Sequence, residues 1–346
     1  MGLPLGEKTI SENTVEYSLR LPASLRMVLR GRRTDVFDVF VRKFALCEDS
    51  QPGGGVPLDI MLPGDDDDGG QPPEGLARRL AELADDHGLT IIHGHGSEVA
   101  VTVCEDGDSS CAWTDSRGSR VGFRVSNPRR FVLQSVLEPI FRELFLVRGG
   151  LLMHSAAVSL PTEIGAMFVA DGGGGKTTTA LATVFAGAKL LSDDLVVVRC
   201  TEPNPVVEGI PEMMNLTRDT LSFFPALRGL YERFDELVIG CRNKTPVAPR
   251  DILDNDCTQA ASPLDVIYQV RVGSDGPQAV RMPPTRALGL FVRAHTFGPA
   301  EQMKPQAFAG LSRLADKVKV YTLTTGSDPN ALARWLVRHA QEHASG

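Results

Sequence analysis

Val169-Ala170-Asp171-Gly172-Gly173-Gly174-Gly175-Lys176-Thr177-Thr178-Thr179-Ala180 is the stretch on which the reading of this chain turns. Phe168 and Val169 close an apolar run of the kind a buried parallel strand needs. The glycines Gly172, Gly173, Gly174 and Gly175 then let the backbone turn its N–H groups inward around an anion. Lys176 supplies a cation to the β- and γ-phosphates of a nucleotide, and Thr177 places a hydroxyl where a phosphate loop puts one on Mg2+. From Thr177 the residues read as a helix whose positive N-terminal end faces the same anion. The segment therefore predicts strand, phosphate loop and helix, with Asp171, Gly172, Gly173, Gly174, Gly175, Lys176, Thr177 and Thr178 binding the nucleotide. The pattern GxxxxGK[ST] expects its first glycine at position 170, where Ala170 adds a Cβ to a tight turn. A glycine-rich surface turn beside an unrelated lysine is the competing reading, opposed by the flanking strand and helix signals.

A second signal follows the helix and a turn at Gly187. Residues Lys189 to Val198 read as one buried strand interrupted by the adjacent carboxylates Asp193 and Asp194. Acids inside an apolar strand are costly unless something cationic sits beside them. A Mg2+-nucleotide held by the neighbouring loop supplies that cation, so each motif accounts for the other. An Asp-Asp turn between two short strands is the alternative.

The order His154-Ser155-Ala156-Ala157, a strand, the glycine-rich loop with Lys176 and Thr177, then Leu190-Leu191-Ser192-Asp193-Asp194 resembles the catalytic core of HPr kinase/phosphorylase and its relatives. Those relatives include HPr-kinase-like enzymes of peptide natural-product pathways, and the core is distantly similar to ATP-dependent phosphoenolpyruvate carboxykinase. The resemblance covers residues 150 to 200, and the rest of the C-terminal half by layout alone. It implies that His154 lies near the transferred phosphate. It also implies that one of Asp193 and Asp194 helps hold the metal while the other takes the proton of the attacking hydroxyl, with the choice between them open. A further metal-binding acid falls on Glu208, or on Glu212 just after it. Lys244 and Arg250 could present positive charge to the phosphates; the alternative for each is a solvated loop cation. Ala170, and the sequence after Val198, depart from HPr kinase proper.

Composition bounds the rest. The 346 residues, 42% of them hydrophobic, suffice for two domains with sizeable cores. A net charge of −7 argues against a general nucleic-acid or anionic-membrane surface. No apolar run reaches the roughly eighteen residues that span a bilayer. The N-terminus lacks the basic-then-apolar pattern of a signal peptide, and Gly6 stands where a myristoylation motif has Ser or Thr, so a cytoplasmic location is expected. Cys47, Cys104, Cys111, Cys200, Cys241 and Cys257 are scattered without a CxxC pair, which speaks against disulfide and zinc frameworks. His93 and His95, separated by glycine, read as a turn before they read as metal ligands.

The first half is less legible. Alternating and apolar runs over residues 13 to 47, such as Val15 to Leu21 and Asp35 to Val41, predict short strands. The Pro-, Gly- and Asp-rich stretch near residues 50–75, with Asp65-Asp66-Asp67-Asp68, reads as a flexible acidic linker. A helix from Leu76 to Gly88 follows, then strands around Thr90–Ile92, Glu98–Cys104 and Arg120–Val125. Residues Arg130 to Val147 predict an apolar helix, kinked or split at Pro139, that leads into the His154 strand and is assigned to the second domain. Its apolar face reads as core packing, with a homo-oligomer contact as the alternative. Beyond the acid pair, helices or substrate-covering loops are expected over residues 217–236, strands near 266–272 and 318–323, and helices near 285–294 and 330–343. The expected architecture is α/β: a strand-rich α+β N-terminal domain (1–128) and a P-loop core of the HPr kinase/phosphoenolpyruvate carboxykinase type (129–346).

The expected activity is phosphotransfer from ATP, with Mg2+, to a hydroxyl of a peptide or small metabolite. Such transfer needs in-line positioning and cations that neutralise charge on the γ-phosphate. Lys176 and the loop amides provide that, with Asp193 or Asp194 as base and His154 nearby. Two rivals stand beside it: a nucleotide-sensing module needing no base, and a carboxykinase-like lyase, which would need additional metal-binding Lys and His residues and a longer chain.

Overall fold

The computed structural model describes residues 15–22, 25–31, 56–61, 72–82, 88–93, 99–105, 108–115, 117, 119–125, 133–234, 244–253, 255–295 and 303–344. The chain divides into two compact units, Met1–Arg148 and Gly149–Gly346. It is a mixed α/β protein with several sheets.

The first unit holds β1 (Val15–Leu21), β2 (Leu25–Gly31), β3 (Val56–Met61), α1 (Glu74–Glu82), β4 (Gly88–His93), β5 (Val99–Glu105), β6 (Asp108–Thr114), β7 (Arg120–Val125) and α2 (Leu133–Val147). Its strands form one sheet in the order β1-β2-β3-β7-β6-β5-β4. The pairs β2–β3 and β3–β7 are parallel and the remaining neighbours antiparallel. Strand β3 lies inside the stretch read as a linker. Val56, Leu58 and Ile60 alternate with Pro57 and Asp59, and that period-two pattern, hidden among glycines and prolines, places the segment between two strands. The Asp65 to Asp68 run, the Asp35 to Val41 run and His95 lie outside the described residues.

Helix α2 continues through Pro139. Val136, Leu137, Ile140, Phe141, Leu144 and Phe145 are buried at helical spacing, and the helix packs on β5 and β6. It lies in the first unit. Side-chain burial of this kind, about 1.5–3 kcal/mol for each large apolar residue, outweighs the one backbone hydrogen bond that proline removes.

The second unit begins with β8 (Gly150–His154), β9 (Ala156–Ser159), β10 (Gly165–Val169), α3 (Lys176–Phe185), β11 (Lys189–Ser192), β12 (Leu195–Arg199), β13 (Val206–Gly209) and β14 (Met214–Thr217). Then come α4 (Arg218–Ser222), a 3-10 turn at Pro225–Leu227, α5 (Arg228–Glu232), β15 (Lys244–Val247), α6 (Pro249–Ile252), β16 (Ala261–Pro263) and β17 (Val266–Arg271). The unit ends with β18 (Gln278–Arg281), α7 (Pro284–His295), α8 (Pro305–Lys317), β19 (Lys319–Thr324) and α9 (Pro329–Ala344). Three sheets result: β11-β9-β10-β17-β19-β18, β16-β13-β12-β8, and the ribbon β14-β15. In the first of these β10, β17 and β19 run parallel. Ala156, Val158, Phe168, Tyr268 and Leu323 from that sheet bury against Ala180, Leu181 and Val184 of α3 and Leu332 and Leu336 of α9. This core fixes the strand that ends in the glycine-rich loop and the helix that leaves it. The stretch from Lys189 to Val198 is not one strand: β11 and β12 belong to different sheets, and the acid pair is the crossing between them.

Candidate active site

Two chain segments cross between the four-stranded and six-stranded sheets, β8 to β9 one way and β11 to β12 the other. Strand β8 ends at His154 and β9 starts at Ala156; β11 ends at Ser192 and β12 starts at Leu195. His154 stands opposite Leu195 in the β8–β12 register, and the backbone N–H of Ser155 donates to the carbonyl of Asp194 at 2.9 Å. Asp193 and Asp194 thus lie between two strands, and His154 at the end of one. His154 Nδ1 lies 3.1 Å from Asp194 Oδ1, with the imidazole 41% exposed and the carboxylate 16% exposed.

The loop from Ala170 to Gly175 connects β10 to α3. Gly173 and Gly175 adopt φ of 76° and 91°, in the left-handed region that L side chains rarely enter. Gly174 N–H closes a turn on the carbonyl of Asp171 at 2.9 Å. A Cβ on Gly174 would fall 2.7 Å from the Cβ of Ala170 and 2.9 Å from that carbonyl oxygen. The glycine at 174 thus makes room for the alanine at 170. Lys176 folds back across the loop and donates from Nζ to the carbonyl of Ala170 at 2.8 Å. It uses a backbone oxygen, so the alanine at this position leaves that contact intact.

The charges are arranged unevenly. Lys176 is 9% exposed, and burial holds its pKa below the usual lysine range, Asp194 and Asp193 opposing the shift and the charge of Lys244 adding to it. Asp193 is 5% exposed. Burial and then the neighbouring Asp194 raise its pKa to about 7, against the Thr177 hydroxyl and the Asn215 backbone N–H, which donate to its carboxylate, and against Lys176. Its Oδ1 is buried without a hydrogen-bond partner. A buried acceptor left open in this way loses hydration with nothing in return, and it is the donor a cation would need.

Several expected residues go elsewhere. Glu208, on β13, pairs with Arg199 and stands opposite Val197, beyond the crossing on β12. Its salt bridge with Arg199 joins β13 to β12. Glu212 is buried in the segment whose two ends meet the β11–β12 crossing, since Ser192 Oγ donates to the carbonyl of Ile210 and Asn215 N–H donates to Asp193. Thr178 Oγ1 lies 2.9 Å from Thr220 Oγ1. Lys244 opens β15, opposite Thr217, near enough for its charge to bear on Lys176. Arg250 sits on α6, in the wall of a cavity. Among the described residues no three His, Cys, Asp or Glu side chains form a group that could hold a metal ion, and Cys111, Cys200 and Cys257 form no disulfide.

Sequence reasoning missed Asn215 and Thr220. Asn215 contributes a backbone N–H, so its residue type carried no signal. Thr220 was readable only locally: Thr217 caps α4 by accepting from Thr220 N–H at 3.2 Å, a spacing visible in Thr217-Arg218-Asp219-Thr220.

No family profile matches the chain, and no curated protein does. Among solved structures, the HPr(Ser) kinase/phosphatase from Coxiella burnetii is similar over 56% of this chain and 99% of that chain, at 10% identity and a TM-score of 0.33. A likeness of that size is distant at most. No described helix is long and apolar enough to cross a membrane.

Proposed function

We propose that the chain is an ATP-dependent kinase of the HPr-kinase-like P-loop class, transferring the γ-phosphoryl group to a hydroxyl of a peptide or small molecule. The carrying observation is the contact of Thr177 with Asp193, a carboxylate that keeps one buried oxygen without a partner. Thr177 is the loop residue expected on the cation, and Asp193 reaches it from a different strand. Mg2+ fits this pair: Thr177 and Asp193 would hold it, with Glu212 a candidate for an outer position, and it would supply charge neutralisation at the β- and γ-phosphates. With no three-ligand group among the described residues, the remaining ligands would be phosphate oxygens and water, the usual arrangement for Mg2+.

The two carboxylates then divide the work. Asp193, buried and bonded to Thr177, takes the cation. Asp194 is more exposed and lies against His154, which suits a base that receives the acceptor's proton, with the imidazole positioning it. Lys176 and the loop N–H groups of Gly173, Gly175 and Lys176 would face the phosphates, and α3 would direct its positive end at them. The kinase domain in this reading is Gly149–Gly346, with ATP as the phosphoryl donor.

The test is mass spectrometry of a peptide and metabolite pool incubated with ATP, Mg2+ and either the parent protein or Lys176→Ala. A product heavier by one phosphoryl group only with the parent establishes the kinase. Asp194→Asn should keep nucleotide binding and lose that product. If Asp194→Asn retains full turnover, the base assignment fails.

A further inference from the structure

The six-stranded sheet lays the candidate site out along one edge. Strands β10, β11, β17 and β19 all run the same way, since β10 and β11 are each antiparallel to β9, and β10, β17 and β19 are parallel neighbours. The glycine-rich loop, the acid pair, Val272 and Thr325 therefore follow their strands at the same edge, and β9 begins there, just after His154. The strand order β11-β9-β10-β17-β19-β18 fixes their order along it. Asp193, Asp194 and His154 stand on one side of the phosphate loop, and the ends of β17 and β19 stand on the other.

That other side is built close against the loop. Val169, the last residue of β10, pairs with Gln269, so β17 runs on past the end of β10 through Val270 and Arg271. A Cβ built on Gly175 would lie 3.6 Å from Val270 Cγ1 and 3.3 Å from Val272 Cγ2, so both valines face the start of α3. Val270 is buried in the core that includes α3, whereas Val272 is 71% exposed. Beside Val272 the two outer loops close on each other. Thr325 N–H donates to the carbonyl of Arg271. A Cβ on Gly273 would strike Thr324 Cγ2, and one on Gly326 would strike Gly276 Cα. Glycine at 273 and 326 permits this close approach, which leaves a low shelf with Val272 at the end nearest the phosphate loop.

The kinase reading gives a nucleotide one direction along this edge. Its cation belongs with Thr177 and Asp193, on the β11 side, and the loop after β10 cradles the phosphates. The other end of the molecule then points toward β17 and β19. Neighbouring strands are about 4.8 Å apart, so the ends of β17 and β19 lie about one and two such spacings from β10. That is the scale on which a ribose separates a base from its α-phosphate. An exposed apolar side chain at this place gives the face of a base something to cover, and the contact removes both from water.

We propose that the nucleoside half of the nucleotide sits over the ends of β17 and β19, with its base resting on Val272. The inference rests on the kinase reading of the phosphate loop and extends it. The acid pair and the acceptor lie on the β11 side, the nucleoside lies on the β17 side, and the phosphates lie between them.

The experiment uses the full chain and two ligands, ATP and inorganic triphosphate, each titrated calorimetrically with Mg2+. Triphosphate fills the loop and lacks a nucleoside, so the ratio of the two affinities reports the nucleoside alone. The parent should bind ATP at least about tenfold more tightly than triphosphate. Val272→Ala and Val272→Asn should weaken ATP about three- to tenfold, the scale of one or two methyl groups lost from a contact, and leave triphosphate unchanged. Both substitutions are uncharged, so neither repels the phosphates. Val280→Ala, at a 67% exposed position on β18, should alter neither affinity. Irradiation of bound 8-azido-ATP should label residues 272–277 or 325–328.

Equal weakening of both ligands by the Val272 variants overturns the proposal, since Val272 would then act on the loop through Gly175. So does ATP binding untouched by either variant, a parent that binds triphosphate as tightly as ATP, or azido label confined to other residues. A parent that binds neither ligand breaks the kinase reading itself, and the triphosphate titration keeps that failure apart from a misplaced nucleoside.

Discussion

Asp193 carries a conflict between stability and function. Its carboxyl is raised to about 7 by burial and by Asp194, so the folded protein without ligand holds a proton that the unfolded chain gives up near pH 4. Between those values the folded state binds more protons, and stability from this group falls as pH rises to about 7 and is level above it. At about 1.4 kcal/mol per pKa unit, the ionised carboxylate costs the ligand-free protein at most a few kcal/mol above pH 7. Asp193→Asn removes that cost. Its melting temperature should exceed the parent's by a margin that grows from pH 4 to 7 and then stays constant, while Mg-ATP turnover drops at least a hundredfold. An equal or lower melting temperature at pH 8 would contradict this account of the burial. Gly174 offers a second residue-scale test. Gly174→Ala drives a Cβ into Ala170 and the Asp171 carbonyl and should cost about 1–3 kcal/mol. Adding Ala170→Gly relieves only the first contact, so a denaturant-melt double-mutant cycle should show partial recovery.

At the scale of elements, the strand–loop–helix around Lys176 was legible because its signals are local: an apolar run, consecutive glycines, then a helix start within a dozen residues. The sheet crossings were not. Which sheet β8, β9, β11 and β12 join depends on distant partners such as β13 and β17, and nothing inside Lys189 to Val198 marks the change. Strand β3 was hidden for a different reason, since Pro57 and the glycines before Val56 outweighed a short alternation. The proposed division of Asp193 and Asp194 into cation ligand and base was likewise closed to sequence, because the two are adjacent and differ in burial. Helix α9 makes a prediction of its own. His339, buried among Trp335, Tyr321 and His343, bonds through Nδ1 to the hydroxyl of Tyr268 at 2.8 Å. Burial, then His343, lowers its pKa, with Glu342 opposing. The unfolded chain therefore takes up the proton first as pH falls, and stability should decline below about 6.5. This slope opposes that of Asp193, so each is read as variant minus parent. His339→Gln should flatten the acid limb of the melting profile relative to the parent, and an unchanged limb would remove His339 as its source.

For the whole molecule, the division at Arg148 and Gly149 separates the proposed chemistry from the seven-stranded sheet. Every residue given a role belongs to Gly149–Gly346: His154, the loop from Ala170, Lys176, Thr177, the acid pair, Asn215, Lys244 and Val272. That unit carries its own core, in which α3 and α9 cover one face of the six-stranded sheet, and at 198 residues it is within the size range of an independently folding domain. Its nucleotide site should therefore survive removal of the first unit. Expressed alone, residues 149–346 should melt cooperatively and bind fluorescent ATP with a Kd within about threefold of the full chain, a difference well under 1.4 kcal/mol. Lys176→Ala should abolish binding equally in both proteins. A folded fragment that binds at least about tenfold more weakly would mean that the first unit contributes to the nucleotide site, and the partition of function argued from the two cores would have to be withdrawn.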